Sequence, residues 1–196
     1  MKVKGPPLLP ILRSAAQARL LTALLLSPER EFTLSALAEV AQVSLSTATR
    51  EVQRAESAGI VQTREVGRSR LVRARGEGAL VEALSRLLLI AFGPAPVAGE
   101  ELAAVPGVES AWIFGSWAAR HEGLAGPPPN DLDILVIGEP ERDAVYAAAE
   151  RIEQRIFRPV QVTFRSSEEW DRPGEDPFLD EVRQRPRVQV LGGGSP

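Results

Sequence analysis

Residues 111–138 read AWIFGSWAARHEGLAGPPPNDLDILVIG, and the order of residue types in this stretch decides the fold of the C-terminal half. Ala111-Trp112-Ile113-Phe114 is an apolar run of the length and type of a short buried strand. Gly115-Ser116 breaks it, and Ser116 is placed to cap a short helix over Trp117, Ala118, Ala119 and Arg120. After a loop rich in proline and glycine, Asp131-Leu132-Asp133-Ile134-Leu135-Val136-Ile137 reads as a second strand. Side chains alternate along a strand, so Asp131 and Asp133 share one face while Leu132 and Ile134 share the other.

Two carboxylates at a strand start, facing a Gly-Ser turn at a helix N-terminus, offer oxygen ligands for a divalent cation and backbone donors for phosphate. Phosphoryl or nucleotidyl transfer needs both. The pattern resembles the nucleotidyltransferase signature of the DNA polymerase beta superfamily, most closely its small bacterial and archaeal members, the minimal nucleotidyltransferases. The resemblance covers the C-terminal half of the chain. It implies that Gly115 and Ser116 contact a nucleoside triphosphate (NTP), and that Asp131 and Asp133 are the catalytic pair holding Mg²⁺ or Mn²⁺. Arg120, near the turn, has two readings: it neutralises a γ-phosphate, or it complements a helix C-terminus. His121 lacks partners at metal spacing and reads as a helix-end residue, and Trp112 and Trp117 read as core.

Two departures from the family pattern stand out. The loop Gly123–Asn130, with Pro127-Pro128-Pro129, is wider than most relatives have. In addition, active relatives carry a third carboxylate on the neighbouring strand, which here is Pro159–Phe164. Its inward polar position is Gln161, with Thr163 as the other option, and neither is a carboxylate. An amide oxygen can ligate a hard cation but cannot serve as a general base near neutral pH. Two aspartates with triphosphate oxygens suffice for the nucleotide-bound Mg²⁺. A second metal, which would activate the acceptor hydroxyl, loses a ligand unless Glu168 or Glu169 reaches back.

The N-terminal half is of another kind. Ile11–Leu26 has helical spacing, with Leu12, Ala16, Leu20, Ala23 and Leu24 on one face, and Ser27-Pro28 ends it. Thr33 caps a second helix with Leu34, Leu37, Ala38 and Ala41 inside, and Ser44 caps a third over Leu45–Ala58, stopped by Gly59. Ile60–Glu65 and Ser69–Ala74 follow as strands of a hairpin turning at Val66-Gly67-Arg68. Three helices and a hairpin resemble a winged helix-turn-helix, and the segment from Leu34 to Ala74 is similar to those of bacterial regulators of the ArsR and MarR kinds. The resemblance implies double-stranded DNA as partner, with the third helix in the major groove. Ser44, Ser46, Thr47 and Arg50 are then the candidates to meet bases or phosphates, with Arg54 nearer the backbone. Arg64, Arg68, Arg70, Arg73 and Arg75 form a basic cluster on the hairpin suited to phosphates. Winged-helix regulators usually pair to read two half-sites, so a homodimer is expected.

Composition supports two small domains of an α+β chain. Of 196 residues, 44% are apolar and 25% charged, as in ordinary globular proteins, and the absence of cysteine excludes disulfides and thiolate metal sites. Residues 1–78 hold 12 Lys and Arg against 7 Asp and Glu, whereas residues 79–196 hold 11 against 19. A basic first half and an acidic second half point to an anionic partner for the first. Met1–Pro10 shows no secretory pattern and the longest apolar runs fall short of a membrane span, so the chain is expected in the cytoplasm, away from membranes.

The expected layout is a winged helix-turn-helix at 1–76, a helix at 77–93, a nucleotidyltransferase-like domain at 94–191 and a flexible tail at 192–196. The helix Glu77–Phe92 carries a wide apolar stripe that fits a dimer interface or a bridge between domains, and Gly93-Pro94-Ala95-Pro96 is expected to break it. Then come a short helix at Glu100–Ala104, the first strand, and a helix Arg142–Phe157. Val160–Phe164 is a half-buried strand, Ser166 or Ser167 caps an acidic turn, Pro177–Gln184 is helical and Val188–Leu191 is a last strand. This order fits a small mixed sheet backed by helices on one side.

Two functional readings follow. One is an enzyme that transfers a nucleoside monophosphate from NTP to a hydroxyl of a protein, RNA or small molecule. The other is a regulator whose nucleotidyltransferase domain is catalytically reduced. Minimal nucleotidyltransferases are often antitoxins that repress their own operons, and this resemblance implies a toxin as a further partner.

Overall fold

The computed structural model describes residues 12–76, 78–127, 129–172 and 176–192. The helix starts expected at Ile11 and Glu77, together with Pro128 and tail residues 193–196, lie outside them. Contacts divide the chain into two compact units, Met1–Gly93 and Pro94–Pro196.

The first unit is built from α1 (Ala15–Leu25), β1 (Phe32–Thr33), α2 (Leu34–Ala41), α3 (Leu45–Ser57), β2 (Val61–Val66), β3 (Ser69–Ala74) and α4 (Ala79–Phe92). A side-chain oxygen begins each of the first three helices: Ser14, Thr33 and Ser44 accept from the backbone N–H three residues on. Ser14 is extended and caps α1, so the helix starts at Ala15 rather than at Ile11. Gln42 adopts the left-handed conformation (φ 56°) and satisfies the last carbonyls of α2, which turns the chain into α3.

Helix α1 lies at the centre, its Ala18, Leu20, Leu21, Ala23, Leu24 and Leu25 all buried, with α2, α4 and β3 packed around it. The sheet order is β1-β3-β2, antiparallel throughout, and the Val66↔Ser69 pair closes a two-residue turn in which Gly67 takes φ 58°. The two-residue strand β1, absent from the sequence reading, completes a winged helix-turn-helix arrangement.

The second unit holds α5 (Pro94–Ala103), β4 (Val108–Phe114), α6 (Gly115–His121), β5 (Leu132–Gly138), α7 (Arg142–Ile156), β6 (Val160–Arg165), α8 (Ser167–Asp171), α9 (Pro177–Gln184) and β7 (Val188–Leu191). Its sheet runs β6-β5-β4-β7, with β5 and β6 parallel and the other pairs antiparallel. Strand alternation gives the sheet two different faces. Leu132, Ile134 and Val136 join Ala111, Ile113 and Val160 on one face, where α5 and α7 pack and Tyr146 of α7 meets Phe164 edge-on at 5.7 Å. On the other face Leu135 and Ile137, with Trp112 and Phe114 beside them, are covered by Trp170 of α8 and Phe178, Leu179 and Val182 of α9. Helices therefore cover both faces of the sheet, not one. The helix Pro177–Gln184 supplies a second apolar row, which the strand pattern alone did not reveal.

Two local expectations change as well. Ser116 does not cap α6: Phe114 stands at the cap position with no side-chain bond, and the helix takes in Gly115. The chain breaks after Phe92 as expected, but the helix expected at Glu100–Ala104 starts earlier: Pro94-Ala95-Pro96 is the first turn of α5, because a first turn needs no backbone donors and tolerates proline there. By length and composition Ala79–Ala103 would suffice to cross a membrane. Gly93 breaks it with extended backbone (ψ −174°), and its apolar residues serve two cores: Val81, Leu88 and Ala91 in the first unit, Val97, Ala98 and Leu102 in the second.

Gly99 lets α5 approach β7. A Cβ there would lie 2.5 Å from the Val190 carbonyl oxygen. Gly→Ala in an open helix stabilises by about 0.5–1 kcal/mol, but Gly99→Ala is expected to lower the urea midpoint, because helix and strand must separate.

Candidate functional site

The register of the second unit brings the expected site residues to one end of the sheet. Phe114, the last residue of β4, pairs with Asp133 near the start of β5, so Gly115 follows directly beside that carboxylate. Gly115 has φ 71°, and a Cβ built on it would collide with Asp133 Oδ2. Only glycine gives both the left-handed backbone and the close approach. Asp131 lies one residue ahead of β5 and not in it, although the alternation argument still places it near Asp133. Burial, and then the negative charge of Asp131, push the Asp133 carboxyl above its ordinary range. Ser116 stands exposed in the first turn of α6.

Arg120, on the last turn of α6, is half-buried, and its Nε and Nη1 are buried with no hydrogen-bond partner. Its guanidinium lies against the backbone of Gly126 in the long loop, where a Cβ would clash with it. Buried donors without acceptors are costly and rarely kept without reason. His121 stacks on Trp117 at 4.9 Å and faces solvent, and Trp117 is buried in the core, as the sequence suggested.

Gln161 lies directly across from Asp133 in the parallel β5–β6 register, and Thr163 lies across from Leu135 one pleat further on. The residue beside the aspartates is therefore the exposed amide. Neither glutamate of α8 makes up the missing charge. Glu169 closes a capping box on Ser166, accepting from its N–H at 2.7 Å, and Glu168 pairs with Arg172 at 2.7 Å. Among the described residues no three His, Cys, Asp or Glu side chains come together as a metal site.

In the first unit, the N-terminus of α3 presents Ser44, Ser46 and Thr47 joined by hydroxyl contacts of 2.9 and 3.0 Å, with Arg50 exposed one turn on. The basic cluster is less free than its composition suggests. Arg54 pairs with Glu51 at 2.8 Å, and Arg13 reaches the same carboxylate. Arg64 grips Glu31 through two nitrogens at 2.8 and 2.5 Å, which holds the Glu31 carboxyl below its ordinary range. Arg70 pairs with Glu56 at 2.7 Å and Thr63 at 3.0 Å, tying the hairpin to α3. Arg73 faces the Gln62 amide across the strands. Arg68 at the hairpin turn and Arg75 after β3 are exposed, and no ion pair involves either among the described residues. Sequence reasoning missed these carboxylate partners; Glu31 and Arg64 lie 33 residues apart, and no local spacing links them.

No family model matches the chain, and no curated protein matches it either. Among solved structures, a mutant MarR from E. coli is 27% identical over 42% of this chain and 61% of its own length, with a TM-score of 0.33. The homodimeric winged helix-turn-helix DNA-binding domain of a Mycobacterium bovis protein is 25% identical over 46% and 88%, with a TM-score of 0.30. A chain from the Shewanella oneidensis complex of tri-AMPylated HEPN toxin with MNT antitoxin is 13% identical over 50% and 71%, with a TM-score of 0.31. The chain spans about three-fifths of the length of the first of these structures. At such TM-scores the likenesses assign no role to any residue.

The charge on Asp133 is expected to cost stability. Its raised pKa means that protonation favours the folded state, and that contribution is lost as pH rises through the folded value. Asp133→Asn should therefore raise the melting temperature at pH 7 by roughly 1–3 °C. The gain should vanish well below pH 3.8, the ordinary Asp value, in calorimetric scans across pH.

Proposed function

We propose that this chain is a DNA-binding regulator whose second unit binds an NTP with a divalent cation at a polymerase beta-type site of reduced transfer chemistry. The observation that carries the reading is the Asp133–Gln161 register pair, which puts a neutral amide where a third carboxylate would complete the metal site. The winged helix of the first unit, with the α3 N-terminus and Arg68 presented, supports the DNA half of the reading.

The residues present suit the nucleotide. The Gly115 turn lets Asp133 come up against its backbone, Arg120 offers two buried donors without acceptors, and Asp131 and Asp133 hold adjacent negative charge that a cation relieves. Mg²⁺, when bound, would neutralise the phosphates and polarise the α-phosphorus. Asp133, half-buried against Gly115, would orient the cation side of the site, and Arg120 would oppose the triphosphate charge. Gln161 accepts or donates a hydrogen bond but takes no proton from an acceptor hydroxyl. A toxin or another protein is the macromolecular partner this reading expects, in an antitoxin-like repressor.

The second reading, an enzyme, is supported by the approach of Gly115 to Asp133 and the nearby charge of Asp131. Incubation with α-³²P-labelled NTPs, Mg²⁺ or Mn²⁺ and a lysate separates the two. The regulator reading expects NTP binding by calorimetry, lost in Asp131→Ala/Asp133→Ala, without label on any macromolecule. Label transferred by the wild type alone would establish the enzyme.

The homodimer has a specific candidate seam. Leu80, Ala83, Leu87 and Ile90 follow 3-4-3 spacing along the exposed side of α4, with Leu80, Leu87 and Ile90 61%, 50% and 63% exposed. Leu87→Glu with Ile90→Glu is expected to give a monomer by light scattering and to weaken DNA binding at least tenfold.

A further inference from the structure

We infer that Glu31 and Glu51 are selectivity residues that mask two arginines of the DNA-binding unit, holding its sequence-blind affinity down. This rests on the reading of the first unit as a DNA-binding module and names how its affinity is set.

Exposure distinguishes masks from ties. Arg70 and Glu56 are similarly covered, with 31% and 34% of their side chains exposed, and share Thr63, so this pair serves to fasten the hairpin to α3. Arg64 and Arg54 have 58% and 56% of their side chains in solvent, yet their partners Glu31 and Glu51 are only 28% and 12% exposed. The carboxylates are thus better covered than the cations, which remain reachable. Glu51 is further held by Arg13, and Glu31 sits just before β1, whose Phe32 pairs with Val72 of β3.

A phosphate approaching Arg64 or Arg54 must compete with a carboxylate already 2.5 or 2.8 Å from the guanidinium, and the displaced charge then stands beside the DNA backbone. An exposed pair is itself weak, so each mask attenuates phosphate contact without abolishing it. Arg50 and Arg68 form no ion pair among the described residues, and Ser44 and Ser46 at the α3 N-terminus are likewise exposed. Contacts that depend on groove fit are therefore open, whereas contacts that any duplex offers are muted. Because phosphate contacts supply essentially all non-specific binding, muting them raises the ratio of specific to non-specific affinity.

The test uses the full chain and a labelled mixed-sequence duplex in fluorescence anisotropy, titrated at several salt concentrations. Glu31→Gln keeps the side-chain shape and is expected to tighten binding about three- to tenfold and to steepen the salt slope by about one. Glu51→Gln should act likewise, and Glu31→Gln/Arg64→Gln should lose the gain. Thermal unfolding of each variant establishes that it is folded. A wild type that binds the duplex while both Glu→Gln variants bind it no better would overturn the mask and leave the DNA reading standing. Absence of binding by wild type and variants alike would overturn both. Binding by the variants alone would support the mask in its strongest form.

Discussion

The second unit is organised around one crowded point, where the Asp133 carboxylate lies against the backbone of Gly115 and near the charge of Asp131. Nothing in packing requires a carboxylate there. The rest of β5, from Ile134 to Ile137, is buried, and an apolar or amide side chain would sit in the strand at lower electrostatic cost. The fold nevertheless gives up a side chain at position 115, holds that residue at φ 71° and puts two acids close together. Local rules broken together in this way are expected at functional sites, where stability is exchanged for a preorganised charge.

Much of this was legible in the sequence because strand alternation and helical spacing are local. The β5 face carrying Asp133, the helix caps at Thr33 and Ser44, the hairpin at Gly67 and the position of Gln161 beside the aspartates all follow from residue types a few positions apart. The misreadings share a cause: each depended on something distant or on an exception to a breaker rule. The prolines at 94 and 96 mark the break correctly but hide the start of α5, which was expected only at Glu100, because their place in its first turn removes the conflict. The pair Phe32-Thr33 is too short to show a period, yet it pairs with Leu71 and Val72. Ser116 has the residue type of a cap, but the close approach of Asp133 to Gly115 sets the chain direction there and draws Gly115 into the helix. The cover on the second face of the sheet comes from α8 and α9, which follow β5 by some thirty residues or more.

Charge behaved least like its sequence appearance. Counted along the chain, the arginines from 54 to 75 form one basic block. In the fold they divide into three groups: ties such as Arg70, paired but reachable cations such as Arg54 and Arg64, and open ones such as Arg68. The surplus of positive charge in the first half is real, yet the density offered to an anion is lower than composition implies, since Glu31, Glu51 and Glu56 are folded back upon it.

Arg120 reverses that arrangement, and the contrast bears on function. Arg64 is exposed and has its carboxylate; leaving it unpaired would have cost little, because water would satisfy it. The Nε and Nη1 of Arg120 are buried and have no acceptor, the costly state for a guanidinium. If stability alone governed placement, the acids would be distributed the other way, with one beside Arg120 and none needed at Arg64. An external anion as ligand would account for the observed order: on the reading proposed above, the half-buried Arg120 is left open for a small polyanion, and the surface cations are restrained against the long, repetitive one that a duplex presents. Gln161 fits the same logic. The register puts the Gln161 amide, and no third carboxylate, beside Asp133, which is why the proposed reading assigns this site binding rather than transfer. On that reading the two units meet phosphate in opposite ways, one by leaving charge unsatisfied and the other by limiting it.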